Sequence, residues 1–295
     1  MNGQVRALGV GLLWTAPWWL GFLLLLALPM GFSLYISFCD YPLLQPPVFT
    51  GAANYRQLVS DPVFHKAVWN TIVYAALSIP IGTILAVLLA VLLNQPVRGQ
   101  ALFRACIFLP TVVPLVAAGV VWMWLLNPEL GPINNLLRAL GVENPPLWRD
   151  SPQWAMAALV MVSLWFVGSP VVIYLAGLQE IPQSLYEAAW LDGASRVRQF
   201  WHVTLPGLSP VILFNVVIGI INAWQVFALP YVIWQTRPGP DRATYFYTMY
   251  LFDNAFSYLK MGYASAMACI QLLIILALTG LVFLVSRRMV HYRGT

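Results

Sequence analysis

The sequence predicts an all-α integral membrane protein with six transmembrane helices. Hydrophobic residues make up 60% of its 295 positions, mean hydropathy is +0.76, and only 8% of residues are charged. A soluble domain carries about a quarter charged residues to present a solvated surface. The chain also holds six apolar stretches, each long enough to cross about 30 Å of hydrocarbon. The alternating pattern of a membrane barrel is absent. Helices, which satisfy their own backbone hydrogen bonds, are therefore the expected spanning elements.

The first span covers residues 12–38. Arg6 precedes it, as a basic residue precedes a secretory leader. The apolar run is longer than a leader's core, and no small-residue cleavage site follows, so an uncleaved anchor is expected. Trp14, Trp18 and Trp19 near its start partly match an interfacial aromatic belt. A polar, Pro-rich segment over 40–66 leads to the second span, 67–93. The turn 94–104 carries Arg98 and Arg104 and no acid. The third span is 105–126. A mixed loop with Asn127-Pro128, Gly131-Pro132 and Pro145-Pro146 separates it from the fourth, 153–178. The fifth span is 207–233 and the sixth 263–286, followed by a tail with Arg287, Arg288 and Arg293.

Between the fourth and fifth spans lies a long polar interruption, 184–206, with helix signals of its own. Ser184 and Glu187 have the spacing of a capping box. Leu185, Ala188 and Ala189 give a short apolar face. Asp192-Gly193 is a breaker pair, with Gly193 free to take the positive φ that ends a helix. A second helix is expected from Ser195, with Val197, Phe200 and Trp201 on its apolar side. Pro206 is then expected in the first turn of the fifth span, where its missing N–H costs nothing. The prediction is a helix–Gly turn–helix whose apolar residues face something outside the bilayer.

Six spans place both termini, the 94–104 turn and the 184–206 loop on one side. That side holds eight Lys/Arg against three acids, the other seven against seven. Its loops are also shorter, so it is read as cytoplasmic. The formal net charge of +5 has the same origin and does not point to nucleic acid.

Catalytic chemistry has little to stand on. No G-x-x-x-x-G-K-[ST] is present, so the chain has no P-loop for ATP. His65, His202 and His291 are scattered over loops, which suggests neither a triad nor a metal cluster. Cys39, Cys106 and Cys269 lie far apart in sequence and suggest no disulfide framework. The six spans contain no Asp, Glu, Lys, Arg or His, the groups that ion-driven carriers generally need at membrane depth. Carbonyl coordination of Na⁺ remains open to such a chain. Energy for uphill transport is therefore expected to enter through a partner.

The spans carry neutral polarity instead. Asn215, Asn222 and Gln225 are spaced by seven and three and share one helical face, with Trp224 adjacent. The fourth span has Trp165, Gly168, Ser169 and Pro170, and Pro170 is expected to kink it and free a carbonyl. Amides and hydroxyls beside aromatic rings suit a neutral polyhydroxylated ligand such as a sugar. The same groups serve equally as hydrogen-bond glue between helices. Both roles stay open for the pathway candidates Trp165, Ser169, Asn215, Asn222, Trp224 and Gln225.

Glu187-Ala188-Ala189, Asp192-Gly193-Ala194, Phe200 and Leu205-Pro206 follow the pattern E-A-A-x-x-D-G-A…F…L-P, with Val203 where Ile is frequent. This resembles the EAA loop of ABC-importer permease subunits, the inner-membrane components of binding-protein-dependent transport systems. The rest is similar to the carbohydrate-uptake branch, of the MalF- and UgpA-like six-span type. Gly51 with Asn54-Tyr55 resembles its G-x-x-N-Y entry, and Leu178-Gln179, Ile181-Pro182 and Leu185-Tyr186 lead into the loop as they do there. Thr236 to Pro240 is similar to its T-x-G-G-P turn, and residues 262–266 read GYASA. Two departures, Pro238 for a glycine and the extra Trp234-Gln235, bear on the outer end of the fifth span.

The resemblance implies a type I ABC importer permease fold: an anchor helix and first external loop over 1–66, a permease core over 67–287 and a cytoplasmic tail over 288–295. It implies a heterodimer with a second homologous permease, a cytoplasmic ABC ATPase dimer holding ATP and Mg, and an external solute-binding protein delivering sugar. The membrane would be the inner membrane of a bacterium or archaeon, with both termini cytoplasmic. Glu187, Ala188, Ala189, Asp192, Gly193, Ala194, Phe200, Leu205 and Pro206 carry over as the ATPase-coupling residues. No catalytic residue, metal or cofactor is implied in this chain. A permease for a glycerol phosphodiester, polyamine or amino acid stays open as an alternative. An ion-coupled secondary carrier is disfavoured by the uncharged spans.

Overall fold

The computed structural model describes the backbone of residues 2–96, 98–235 and 237–286, and side chains from Val10 onward. Thr236 of the proposed turn, His291, the tail arginines Arg287, Arg288 and Arg293, and the side chain of Arg6 lie outside the described residues. Helices α1 (Asn2–Phe22) and α2 (Leu28–Ile36) run together through a π-helical turn. Strands β1 (Cys39–Asp40) and β2 (Val48–Phe49) pair antiparallel, Cys39 opposite Phe49. Then come α3 (Ala53–Ser60), α4 (Pro62–Leu93), α5 (Gln100–Val112), α6 (Leu115–Leu125) and α7 (Pro132–Ala139). Helices α8 (Pro152–Leu164), α9 (Gly168–Gln179), α10 (Gln183–Leu191), α11 (Arg196–Gln199) and α12 (Leu205–Trp224) follow. The last are α13 (Ala228–Ile233), α14 (Tyr247–Phe252) and α15 (Met261–Ser286).

Four helical runs are long and apolar enough to cross a membrane: Val10–Ile36, Pro62–Leu93, Arg196–Ile233 and Met261–Ser286. Two bent pairs, α5 with α6 and α8 with α9, complete the six spans expected if each pair counts as one. The third span is thus not the continuous helix read from sequence. It breaks by 98° between α5 and α6. Val113 precedes Pro114 there and sits at φ −71°, ψ 127°, the extended conformation that a following proline imposes. The fourth span bends by 50°. Trp165, Phe166 and Val167 donate to carbonyls only three residues back, and Phe166, four before Pro170, faces no amide in that ladder.

The 184–206 loop departs from expectation at both ends. No capping box forms. Helix α10 starts at Gln183 with Pro182 as its N-cap and without a side-chain cap, so Ser184 lies already inside the first turn. The second helix does begin after Ser195, whose Oγ accepts from the Arg198 amide at 3.4 Å. It does not stop before Pro206, however. The chain passes through a π-helical turn, Phe200–Thr204, straight into α12, and the Leu205 amide donates to Phe200 five residues back. That wider turn carries the helix past a proline that cannot donate.

The described chain separates into two compact units. In the unit formed by residues up to Asp61 with Leu251–Leu273, the buried Asn54 donates to the Ser37 and Cys39 carbonyls at 2.9 and 2.8 Å. There Tyr263 also donates to Asp61 at 2.5 Å. In the unit formed by Pro62–Tyr250 with residues from Ile274, α4 packs against α8, α9 and α12, α5 against α9, and α6 against α13. Its core holds Ala86, Val87, Ala90, Val171, Tyr174, Leu178 and Leu208. Small residues let the helices close up. A Cβ on Gly168 would run into the α5 backbone at Ile107 and Phe108.

Candidate functional site

The 184–206 loop is built on one backbone device. At the end of α10, Gly193 takes φ +74°, the left-handed region that glycine enters without steric cost. Its amide donates to Trp190 at 3.0 Å, and the Ala194 amide donates to Ala189 at 2.9 Å. These two bonds define a Schellman turn, which closes the free carbonyls of the helix end. Gln199 Nε2 then donates to the Ala194 carbonyl at 3.1 Å, tying the second helix to the turn.

The motif residues divide into two groups. Phe200 and Leu205 are half-buried and pack on the core with Tyr186 and Val203. The Tyr186 hydroxyl pairs with the buried Thr204 hydroxyl at 3.0 Å, joining α10 to the π-helical turn. Pro206 is half-buried in the same wall. Glu187, Ala188, Asp192 and Gly193 are exposed, while Ala189 and Ala194 are half-buried. The carboxylates of Glu187 and Asp192 make no hydrogen bond or ion pair among the described residues. Around them stand large apolar side chains in the open: Trp190 is 71% exposed, Leu191 78% and Val197 68%. Large apolar side chains left in the open beside free carboxylates are a surface available to a partner.

The pathway candidates gather only in part. Asn215 and Asn222 of α12 and Pro170 of α9 line a cavity of about 210 Å³ with Tyr74, Ser78, Thr83, Ser163 and Tyr174. Asn215 Nδ2 donates to Val211 at 3.0 Å. The Tyr174 hydroxyl is buried and faces the Thr83 hydroxyl without a hydrogen bond of good geometry among the described residues. Trp165, Ser169, Trp224 and Gln225 do not line this cavity. Trp165 packs edge-on against Trp122 at 5.9 Å, and the buried Trp224 packs against Tyr247 at 5.8 Å. Ser169 and Gln225 are exposed. Sequence reasoning missed the hydroxyls of Tyr74, Ser78 and Thr83. Their spacings of four and five on α4 trace no single helical face, so no period in the sequence marks them and only the folded cavity brings them together. Among the described residues no cluster of His, Cys, Asp or Glu is arranged to hold a metal ion.

Residues 64–291 match the family described as binding-protein-dependent transport system inner membrane component. Over 286 residues the chain is 37% identical to a probable ABC transporter permease protein, YesP, of Bacillus subtilis, covering 96% of this chain and 92% of that one. It is 35% identical over 267 residues to the sulfoquinovosyl glycerol transport system permease protein SmoG of Agrobacterium fabrum, covering 90% and 86%. The fold is that of a chain in the crystal structure of a bacterial ABC transporter for the acidic polysaccharide alginate. The TM-score is 0.84 at 24% identity, with 98% of both chains covered. The loop geometry, the six spans and the match over most of its length make this chain a member of the binding-protein-dependent transport system inner membrane component family.

Proposed function

We propose that this chain is the membrane-spanning permease subunit of an ATP-driven, binding-protein-dependent sugar importer. The observation that carries the proposal is the 184–206 loop. Its exposed Trp190, Leu191 and Val197 surround a glycine turn, and its second helix runs without interruption into α12, which lines the polar cavity. A partner that grips the loop therefore grips a wall of the cavity. The partner is a cytoplasmic ABC ATPase dimer, which holds ATP and Mg; this chain performs no catalysis and holds no cofactor of its own. A second homologous permease supplies the other half of the pathway, and an external solute-binding protein delivers the sugar. Both termini lie in the cytoplasm, on the loop's side. The neutral hydroxyls and amides around Asn215 suit a polyhydroxylated solute, and the transport roles that name the relatives support that class.

The test is purification of the assembly from its host and reconstitution into liposomes. ATP-dependent sugar uptake that requires the external binding protein is expected. Uptake driven by an ion gradient without ATP overturns the proposal. For orientation, Ser195→Cys should react with an impermeant maleimide in inverted vesicles and not in intact cells or spheroplasts.

A further inference from the structure

A second polar cavity, of about 300 Å³, lies at the end of α13, the far end of the α12–α13 run from the coupling loop. Arg149, Asp150, Trp234, Gln235, Arg237 and Gly239 line it. The Trp234 ring N–H donates to the Arg149 carbonyl at 2.8 Å, which fixes the two cavity walls to each other. Gln235 Nε2 reaches Met123 Sδ at 3.4 Å. The guanidinium groups are the unusual feature. Among the described residues Arg149 Nε is buried and has no hydrogen-bond partner, and neither Arg149 nor Arg237 makes an ion pair. Arginine presents its donors in a fork that fits a carboxylate or sulfonate with two parallel bonds. Asp150, also without an ion pair among the described residues, is left to accept from hydroxyl groups.

From this set we infer that the cavity is an outer site for an acidic sugar: Arg149 and Arg237 take its anionic group and Asp150 its hydroxyls. The inference rests on the importer reading and deepens it, adding an entry point selective for anionic saccharides to a membrane pathway that is itself uncharged.

D-galacturonate and D-galactose differ at one carbon, and this makes them the probes. Saturation-transfer NMR on the full chain in lipid nanodiscs should show galacturonate binding, with galactose about tenfold weaker or undetected. Arg149→Gln with Arg237→Gln should weaken galacturonate by about tenfold or more. Arg149→Lys, which keeps the charge and loses the fork, should fall between. The bond from Trp234 goes to the Arg149 backbone, so these variants retain it and should fold. Equal binding of the two sugars overturns the inference, as does unchanged galacturonate binding in the double variant. Inorganic sulfate binding as tightly as galacturonate overturns its saccharide part. Loss confined to docking of an external protein, with no sugar bound, overturns it as well. All of these outcomes leave ATP-driven uptake, and so the importer reading, to be judged separately.

Discussion

The amide of Ala194 donates to the carbonyl of Ala189 across Gly193, at 2.9 Å. This contact fixes the angle between α10 and α11. Trp190 and Leu191 precede the turn and Val197 follows it, all exposed. The rim that a partner meets is therefore set by backbone geometry and not by the packing of its own side chains.

Gly193→Leu tests that geometry. No atom lies within 4 Å of the added Cβ, so insertion and abundance should be normal. The positive φ costs a branched or bulky residue about 1–2 kcal/mol, which shifts the turn away from its observed form. ATP hydrolysis should continue while uptake falls at least severalfold, with Gly193→Asn much milder because Asn tolerates the left-handed region. Parallel ATPase and uptake assays decide this, and normal uptake by the Leu variant would count against the turn's role.

Tyr174→Phe separates packing from solute contact. Its hydroxyl is buried and poorly placed toward Thr83, so removing it should change thermal stability by no more than about 1 kcal/mol. If the hydroxyl meets the solute, the KM for uptake should rise by about tenfold with maximal rate retained. Unchanged KM with raised stability would assign the group to the core alone.

Gly168→Ala should drive α9 away from α5. The added methyl meets the Ile107 and Phe108 backbone, which cannot rotate aside. Overpacking of this kind costs about 1–3 kcal/mol, readable as a lower melting temperature in detergent. An unchanged melting temperature would mean that the α5–α9 contact is looser than described.

Asn70→Ala should destabilise more than its single amide suggests. Asn70 is buried, and its Nδ2 donates to the carbonyls of Arg242 and Tyr245 at 2.7 and 3.0 Å. Removing it breaks two buried hydrogen bonds, each worth about 0.5–1.5 kcal/mol, while the Arg242 carbonyl keeps the Tyr245 amide at 3.2 Å. Hydrogen exchange at residues 242–247 should accelerate, and Asn70→Asp, which cannot donate when ionised, should not rescue the protection.

Much of the architecture was legible because lipid simplifies the code. Apolar length alone located the six spans, and the Asp192-Gly193 pair located the turn. What escaped has specific physical causes. Pro114 forces Val113 out of the helix, and a hydropathy window averages across that break. Pro206 reads as a helix start, yet a π-helical turn absorbs it. Ser184 and Glu187 have the spacing of a capping box, but with Pro182 as N-cap the helix begins two residues too early for Ser184 to cap it. Asn215 and Asn222 were picked out as amides on one face. Tyr74, Ser78, Thr83, Ser163 and Tyr174 come from other helices, and only their packing shows that they share a cavity with those amides.

The unbroken passage from Arg196 into α12 has a mechanical consequence. The run from Arg196 to Ile233 holds 38 residues, roughly 55 Å at about 1.5 Å per residue, with one short interruption before α13. Across such a rod, a tilt of about 5° at one end displaces the other by roughly 5 Å. An ångström-scale shift at Val197 would thus be amplified at Asn222 and beyond, to an extent set by the stiffness of the Phe200–Thr204 turn.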